Sequence, residues 1–327
     1  MKFYIGIDVA KEKIDCLWLK DIDSLKAKTK VLPNTKAGFE ALKSWFEKNI
    51  TTELGDIHVS LEATAIYHEA LAYALYEMGV NISVVNPAQV REFAKGLGVR
   101  NKTDKKDSMV LARYGALTKP RLWQPEPEEI RLLKALIARL SALDKDFQRE
   151  LNRLEKAQIS RASEAVIDSI QFMSEQLKKE CARVEKQIDD HIDQHPNLKQ
   201  DRALLLTIPA IGDVLSREML AVLNSRPFEQ ASQAAAFLGV VPKLHESGKL
   251  KGRTTLCKNG SGRIRAKLYM AATVAIKHNP DIKCQYERLL KAGKTKMQAL
   301  GAAMRKLVQI CFGVLKHQCE YRPQVSL

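Results

Sequence analysis

Apolar and polar positions divide the chain into three stretches with different periods. Residues 3–8 (FYIGID) and 14–19 (IDCLWL) read as strands joined by a short turn through 10–12, and a third short strand is expected near 26–32. Phe39, Leu42, Trp45 and Phe46 then recur at helical spacing, which predicts a helix over 36–49. IHVSLEA at 57–63 is an apolar run of the buried-strand type. It is followed by a predicted helix over 67–78 and by a strand at 81–85 that Asn86 and Pro87 end. Further helices are expected near 88–96 and 104–118.

Prolines 125 and 127, just after Trp123, mark a change. Beyond them Leu133, Leu136, Leu140, Leu143, Phe147, Leu151 and Leu154 recur at spacings of three and four. Ile170, Met173, Leu177, Cys181, Val184, Ile188 and Ile192 do the same. Two long amphipathic helices of coiled-coil character are expected, whose seam could close as a hairpin or between chains; dimerisation is the favoured reading. From Leu204, LLLTIPAIGDVLSREMLAVL predicts helix–turn–helix with Pro209 and Gly212 in the turn. A Gly- and Lys-rich loop occupies 243–263, and helical patterns return at 264–277, 281–291 and 295–316. The expected domains are therefore 1–122, 123–197 and 198–327. Three strands in succession, then strands alternating with helices, is the order of a ribonuclease-H-like α/β sheet; a doubly wound fold more often begins strand–helix–strand.

Composition adds the class and the partner. The chain has 327 residues, 45% hydrophobic and 28% charged, as in ordinary globular proteins. No apolar run reaches the roughly 18–20 residues of a membrane span, and MKFYIGID enters a strand with no signal-peptide stretch, so a cytoplasmic protein is expected. Six scattered cysteines without a CxxC pair read as reduced packing thiols, and the pair His191/His195 reads as a surface feature. Of the net charge of +15, residues 241–327 carry +14, with 18 Lys and Arg against four Asp and Glu. Such asymmetry points to a polyanion, in cytoplasm most often nucleic acid.

Four acids carry the candidate chemistry. Asp8 falls at the end of the first predicted strand and Glu62 at the end of the central one, where an open sheet can place them side by side. Asp104 and Asp107 share a helix face. Converging carboxylates repel unless cations neutralise them, and Mg2+, with Mn2+ as substitute, suits an all-oxygen set. Two such ions can clamp the attacking and leaving oxygens of a phosphodiester. Taken singly each acid has a plainer reading: Asp8 as a strand end, Glu62 as a strand terminus, Asp104 and Asp107 as helix-start residues. The neighbouring Arg100, Lys102, Lys105 and Lys106 suit a phosphate backbone, as do Lys249, Lys251, Arg253, Lys258, Arg263, Arg265 and Lys267 in the basic C-terminal part. Ser247 and Ser261 are both chemically capable hydroxyls beside these cations; local sequence does not choose between them.

The blocks YIGIDVAKEKID, LEATAIYHEA and KTDKKDS, followed by IPAIGDVLS, AAFLGVVPKLHESGKLKG and GSGRIRAKLYMAA, cover nearly the whole chain. Together they resemble the RuvC-like DEDD transposases of bacterial insertion sequences, and more closely the bridge-RNA-guided recombinases. The resemblance implies a RuvC-like N-terminal domain, coiled-coil helices and a mainly helical C-terminal domain. It also implies that Asp8, Glu62, Asp104 and Asp107 bind metal and that Ser247 is the nucleophile of a covalent phosphoserine intermediate. Donor and target DNA, a structured bridge RNA, and a homodimer or homotetramer in which one protomer's serine domain meets another's acidic domain are the implied partners. A hydrolytic nuclease of the Holliday-junction-resolvase kind is the competing expectation. Ala210, where the family's turn has its first Gly, and Ser108, where Ala is frequent, depart from the pattern.

Overall fold

The computed structural model describes residues 2–50, 53–63, 66–98, 104–243, 246–247, 250–251 and 254–324, and all of their side chains except those of 104, 105, 246, 247, 250 and 251. It divides into two compact units, 1–125 and 126–327.

In the first unit β1 (Phe3–Val9), β2 (Lys13–Leu19) and β3 (Ala27–Pro33) form an antiparallel meander. β4 (Ile57–Glu62) and β5 (Asn81–Val85) add in parallel on the other side of β1, giving the order β3-β2-β1-β4-β5. This is the mixed sheet expected for a ribonuclease-H-like domain. Alternation assigns the faces. Ile5, Ile7 and Val9 of β1, Ile14 and Cys16 of β2, and Ile57, Val59 and Leu61 of β4 pack with Phe39, Leu42 and Phe46 of α1 (Lys36–Asn49) and with Leu71 and Leu75 of α2 (Glu69–Glu77). Thr35 caps α1 by accepting from the Gly38 amide.

Tyr4, Gly6 and Asp8 therefore face the other way, toward α4 (Asp104–Thr118), which α3 (Pro87–Gly96) precedes. Asn86 caps α3 with Pro87 in the first turn. The β5 side of the sheet is covered by the segment after α4: the Trp123 amide donates to the Ile82 carbonyl at 2.6 Å, and the Trp123 ring meets Tyr73 and Tyr76 edge-on.

In the second unit α5 (Glu128–Ile159) and α6 (Glu164–Gln194) pack on one another as a hairpin within the chain. Ile130, Leu133, Ile137 and Leu143 meet Val184, Ile188 and Ile192 in one core. The heptad pattern is thus used internally, because a turn of four residues returns the chain antiparallel onto its own seam. His191 corrects the surface expectation: it lies one residue before Ile192 on that seam, is buried, and its Nε2 lies 2.8 Å from the Glu129 carbonyl.

Around this hairpin's base come α7 (Pro196–Leu206), α8 (Asp213–Leu223), the short α9 (Ala231–Phe237), α10 (Gly262–His278), α11 (Pro280–Lys291) and α12 (Lys296–His317). Arg217 of α8, almost wholly buried, is held by Glu185 at 2.7 Å and by Asp189 at 2.7 and 3.1 Å. Between α7 and α8, Ile208-Pro209-Ala210-Ile211 forms a turn closed by the Ile211 amide on the Ile208 carbonyl at 3.0 Å, with Ala210 at φ 82°. Pro at the second and a positive φ at the third position are the marks of a type II turn, which favours glycine where Ala210 stands.

The stretch expected as a plain loop contains two strand pairs. β6 (Pro242–Lys243) pairs with β9 (Thr255–Leu256), and β7 (Glu246–Ser247) with β8 (Leu250–Lys251). Among the described residues no helix is long and apolar enough to cross a membrane.

Candidate functional site

Sheet register brings the first acids together. Ile7 of β1 pairs with Leu61 of β4, so Asp8 and Glu62 are the next residues on adjacent parallel strands. Alternation puts both on the face that α4 covers, and both are half-buried. Across β1–β2, Asp8 pairs with Asp15, whose side chain shares that face and is bound by Lys13 at 3.0 Å. Asp15 is an acid that the sequence reading passed over. Its signal was present, because a two-residue alternation from Leu17 back through Asp15 places it opposite Asp8 once β1 and β2 pair.

Close packing sets the height of α4 above these acids. A Cβ at Gly6 would collide with the Ser108 carbonyl and stand 2.5 Å from the Ala112 amide nitrogen, both backbone atoms. At Gly115, two turns along α4, a Cβ would collide with the side-chain hydroxyl of Ser60, and Ser60 is the register partner of Gly6. Ser108 then bonds through its hydroxyl to the Asp15 carbonyl at 2.7 Å. The helix crosses β1 and β4 with glycine at both contacts, so its first turn stands over the strand ends.

Asp107, half-buried, and the exposed Lys106 belong to that first turn. Asp104 begins the helix, but its side chain and that of Lys105 lie outside the described ones, as do residues Arg100 and Lys102 entirely. Among the described residues no group of three or more His, Cys, Asp or Glu side chains is assembled for a metal ion. Asp8, Glu62 and Asp107 are all carboxylates, a chemistry that would suit a hard divalent cation and not a soft one.

On the other side of Asp8's strand pair, His58 of β4 lies 2.8 Å through Nε2 from the Ser83 hydroxyl, which in turn donates to the carbonyls of Pro120 and Arg121 at 3.1 and 3.0 Å. With the hydroxyl proton committed there, Nε2 carries the imidazole proton. Burial holds the pKa of His58 below the usual histidine range, with Lys2 adding in the same direction.

In the second unit Ser247 pairs with Leu250 across β7 and β8. Its side chain and that of Lys251 lie outside the described ones, and so do Lys249 and Arg253. Lys258 is exposed at φ 56°. Of the α10 cations, Arg263, Arg265 and Lys267 are engaged within the protein. Arg263 and Lys267 both bind the buried Glu218 carboxylate, the lysine at 2.8 Å and the Arg263 Nη2 at 2.9 Å. Arg265 donates through Nη1 to the carbonyls of Leu238, Asn259 and Gly260. Ser261 accepts from the Ile264 amide and caps α10.

Residues 5–158 match the DEDD_Tnp_IS110 transposase family, and residues 202–287 match the family described as Transposase IS116/IS110/IS902. Over 318 residues the chain is 32% identical to the pilin gene-inverting protein of Moraxella bovis, covering 96% of each chain. It is 22% identical over 273 residues to the transposase for insertion sequence element IS1111A of Coxiella burnetii, covering 75% of this chain and 74% of that one. The Thermus thermophilus RuvC structure aligns at 14% identity and a TM-score of 0.28, over 37% of this chain and 99% of its own.

Proposed function

The chain belongs to the IS110 family of DEDD transposases, which are DNA strand-transfer enzymes, and on that premise we propose that it cuts and rejoins DNA by serine attack beside a divalent-metal carboxylate site. The observation that carries the carboxylate half is the placement of Asp8 and Glu62 at the ends of paired parallel strands, under a helix start that bears Asp104 and Asp107. In this reading the four acids hold Mg2+ or Mn2+. An ion held there would supply positive charge for phosphoryl transfer.

Ser247 supplies the nucleophile. Its Oγ loses a proton and bonds to phosphorus, a phosphodiester P–O bond breaks, and the departing DNA hydroxyl takes up a proton. Attack of another DNA hydroxyl on the phosphoserine reverses the step and restores a phosphodiester, so no outside energy source is consumed. Lys249, Lys251 and Arg253, next to Ser247 in sequence, stabilise the developing negative charge. Arg100, Lys102, Lys105 and Lys106 do the same for the backbone beside the acids. The carboxylates and the serine come from different units of the chain. An oligomer, dimer or tetramer, and a structured bridge RNA that selects donor and target DNA complete the proposal. Likeness over nearly the whole length to a pilin gene-inverting protein favours inversion of a DNA segment as one outcome of the same chemistry.

The test is a denaturing gel of the protein with Mg2+, DNA spanning its native junctions and RNA transcribed from the sequence beside its gene. A covalent protein–DNA band is expected, lost in Ser247→Ala. Asp8→Asn, Glu62→Gln, Asp104→Asn and Asp107→Asn each abolish joining while the thermal midpoint holds. Cleavage by Ser247→Ala at the wild-type rate would instead establish hydrolysis by water.

A further inference from the structure

The hairpin that ends at Ser247 has a root built from backbone. Gly239, at φ 70°, and Gly260, at φ 95°, face one another's segments. A Cβ on the first would collide with the Asn259 carbonyl, and one on the second with the Phe237 carbonyl. The Lys258 amide donates to the Gly239 carbonyl at 3.2 Å and the Cys257 amide to the Val241 carbonyl at 2.9 Å. Pro242 pairs with Leu256 and Lys243 with Thr255 in one two-stranded sheet, and Ser247 pairs with Leu250 in a separate one. Three carbonyls gather at this root, those of Leu238, Asn259 and Gly260. The Nη1 of Arg265 lies among them at 3.4, 3.3 and 3.0 Å.

We propose that Arg265 is a positioning residue for the Ser247 hairpin, a cation that fixes the angle at which the hairpin leaves the helical body. This rests on the reading of Ser247 as nucleophile. Three carbonyl oxygens turned toward one point repel unless a positive donor stands between them, and a guanidinium is charged at every working pH. The donor comes from α10 one turn after the Ser261 cap, a rigid element, whereas the carbonyls belong to the two segments on which the hairpin stands. One side chain therefore ties both legs to one helix.

The root, in which Pro242 and Lys243 pair with Leu256 and Thr255, sets where the chain that carries Ser247 leaves the helical body. A misplacement of about 1 Å at a reacting atom can cost on the order of a hundredfold in rate. The neighbouring cations take no part in this, since Arg263 and Lys267 turn to Glu218.

The experiment compares full-length wild type, Arg265→Ala and Arg265→Lys by three readouts. These are amide hydrogen exchange over 239–260, the single-turnover rate of covalent adduct formation on native-junction DNA, and affinity with its salt dependence for an arbitrary duplex of about 30 base pairs. Arg265→Ala is expected to exchange at Cys257 and Lys258 about tenfold faster and to form adduct about a hundredfold more slowly. Its duplex affinity stays within about twofold and its salt slope is unchanged. Arg265→Lys, which keeps a cation and the fold, recovers part of both losses. Weaker duplex binding and a salt slope smaller by about one, with wild-type exchange, would make Arg265 a phosphate contact and overturn the proposal. So would faster exchange with an unchanged adduct rate. Failure of the nucleophile reading is separate: it appears as an adduct that persists in Ser247→Ala, whatever Arg265 does to exchange.

Discussion

The Ser108 hydroxyl donates to the Asp15 carbonyl at 2.7 Å, and Asp15 is the register partner of Asp8. One hydrogen bond thus fastens the first turn of α4 to the strand beside the first acid, at a residue directly following Asp107. Position 108 does more here than fill space: the hydroxyl adds a polar anchor to a helix that already rests on Gly6 and Gly115.

That arrangement predicts the effect of one methyl group. Gly6→Ala drives its Cβ into the backbone of Ser108 and Ala112, neither of which can rotate away. Displacement of α4 is expected to cost about 1–3 kcal/mol, as overpacking does. It also lifts Asp107 from Asp8, so Mg2+-dependent cleavage should fall by far more than the unfolded fraction explains. Urea unfolding and a cleavage assay on the same preparation check both parts; wild-type stability in Gly6→Ala would refute the close contact.

Ala210 predicts the opposite sign. At φ 82° an L-alanine carries a left-handed strain of about 1–2 kcal/mol. Glycine relieves that strain and gives back about 0.5–1 kcal/mol through its greater freedom in the unfolded chain. Ala210→Gly should therefore raise stability by about 0.5–1 kcal/mol, seen as a higher thermal midpoint, and a lower midpoint would contradict the turn assignment.

Acid should weaken the first unit through His58. Its folded pKa is depressed, so the unfolded chain binds a proton first as pH drops. The stability present above the unfolded value of about 6.5 is lost as pH falls below it, by at most about 1.4 kcal/mol per pH unit. The stability difference between wild type and His58→Gln should accordingly narrow between about pH 6.5 and 5. Parallel unfolding curves over that window would show that His58 does not titrate with unfolding.

Glu218 predicts non-additivity. Two cations serve one buried carboxylate, so Arg263→Ala or Lys267→Ala leaves it a partner. Each single change is expected to cost about 1 kcal/mol, whereas the double change strands a buried charge and costs about 3–5 kcal/mol. A double-mutant cycle in urea measures the excess directly; a double variant equal to the sum of the singles would refute the shared role.

The sequence made the first unit readable because alternation and helical spacing both act over several residues there. Ile5, Ile7 and Val9 on one face of β1 leave Gly6 and Asp8 on the other, and that pattern survives in the fold. Smaller features have no period to reveal them. The strands β6 to β9 are two residues each, and α9 has seven, mostly alanine, so neither repeats long enough to register. The α5–α6 seam was visible but its partner was not, since a heptad records an apolar stripe and not whose stripe fills it. Likewise the charges of Arg263, Arg265 and Lys267 could be counted from sequence, but their inward partners Glu218, Leu238, Asn259 and Gly260 appear only once α8, α9 and α10 pack. For the acids, strand order supplied adjacency that no spacing along the chain contains.

The five-stranded sheet has one further property, at β3. This strand lies at the end of the order, pairs among the described strands only with β2, and exposes every residue but Leu32. Lys28 and Lys30 fall on one side of it and Pro33 ends it. An open strand edge is a template on which other chains can aggregate, and repeated lysines with a terminal proline are the features that deter such growth. Replacing those lysines with threonine or valine would leave the acids untouched and yet turn a discrete particle into one that seeds its own precipitation.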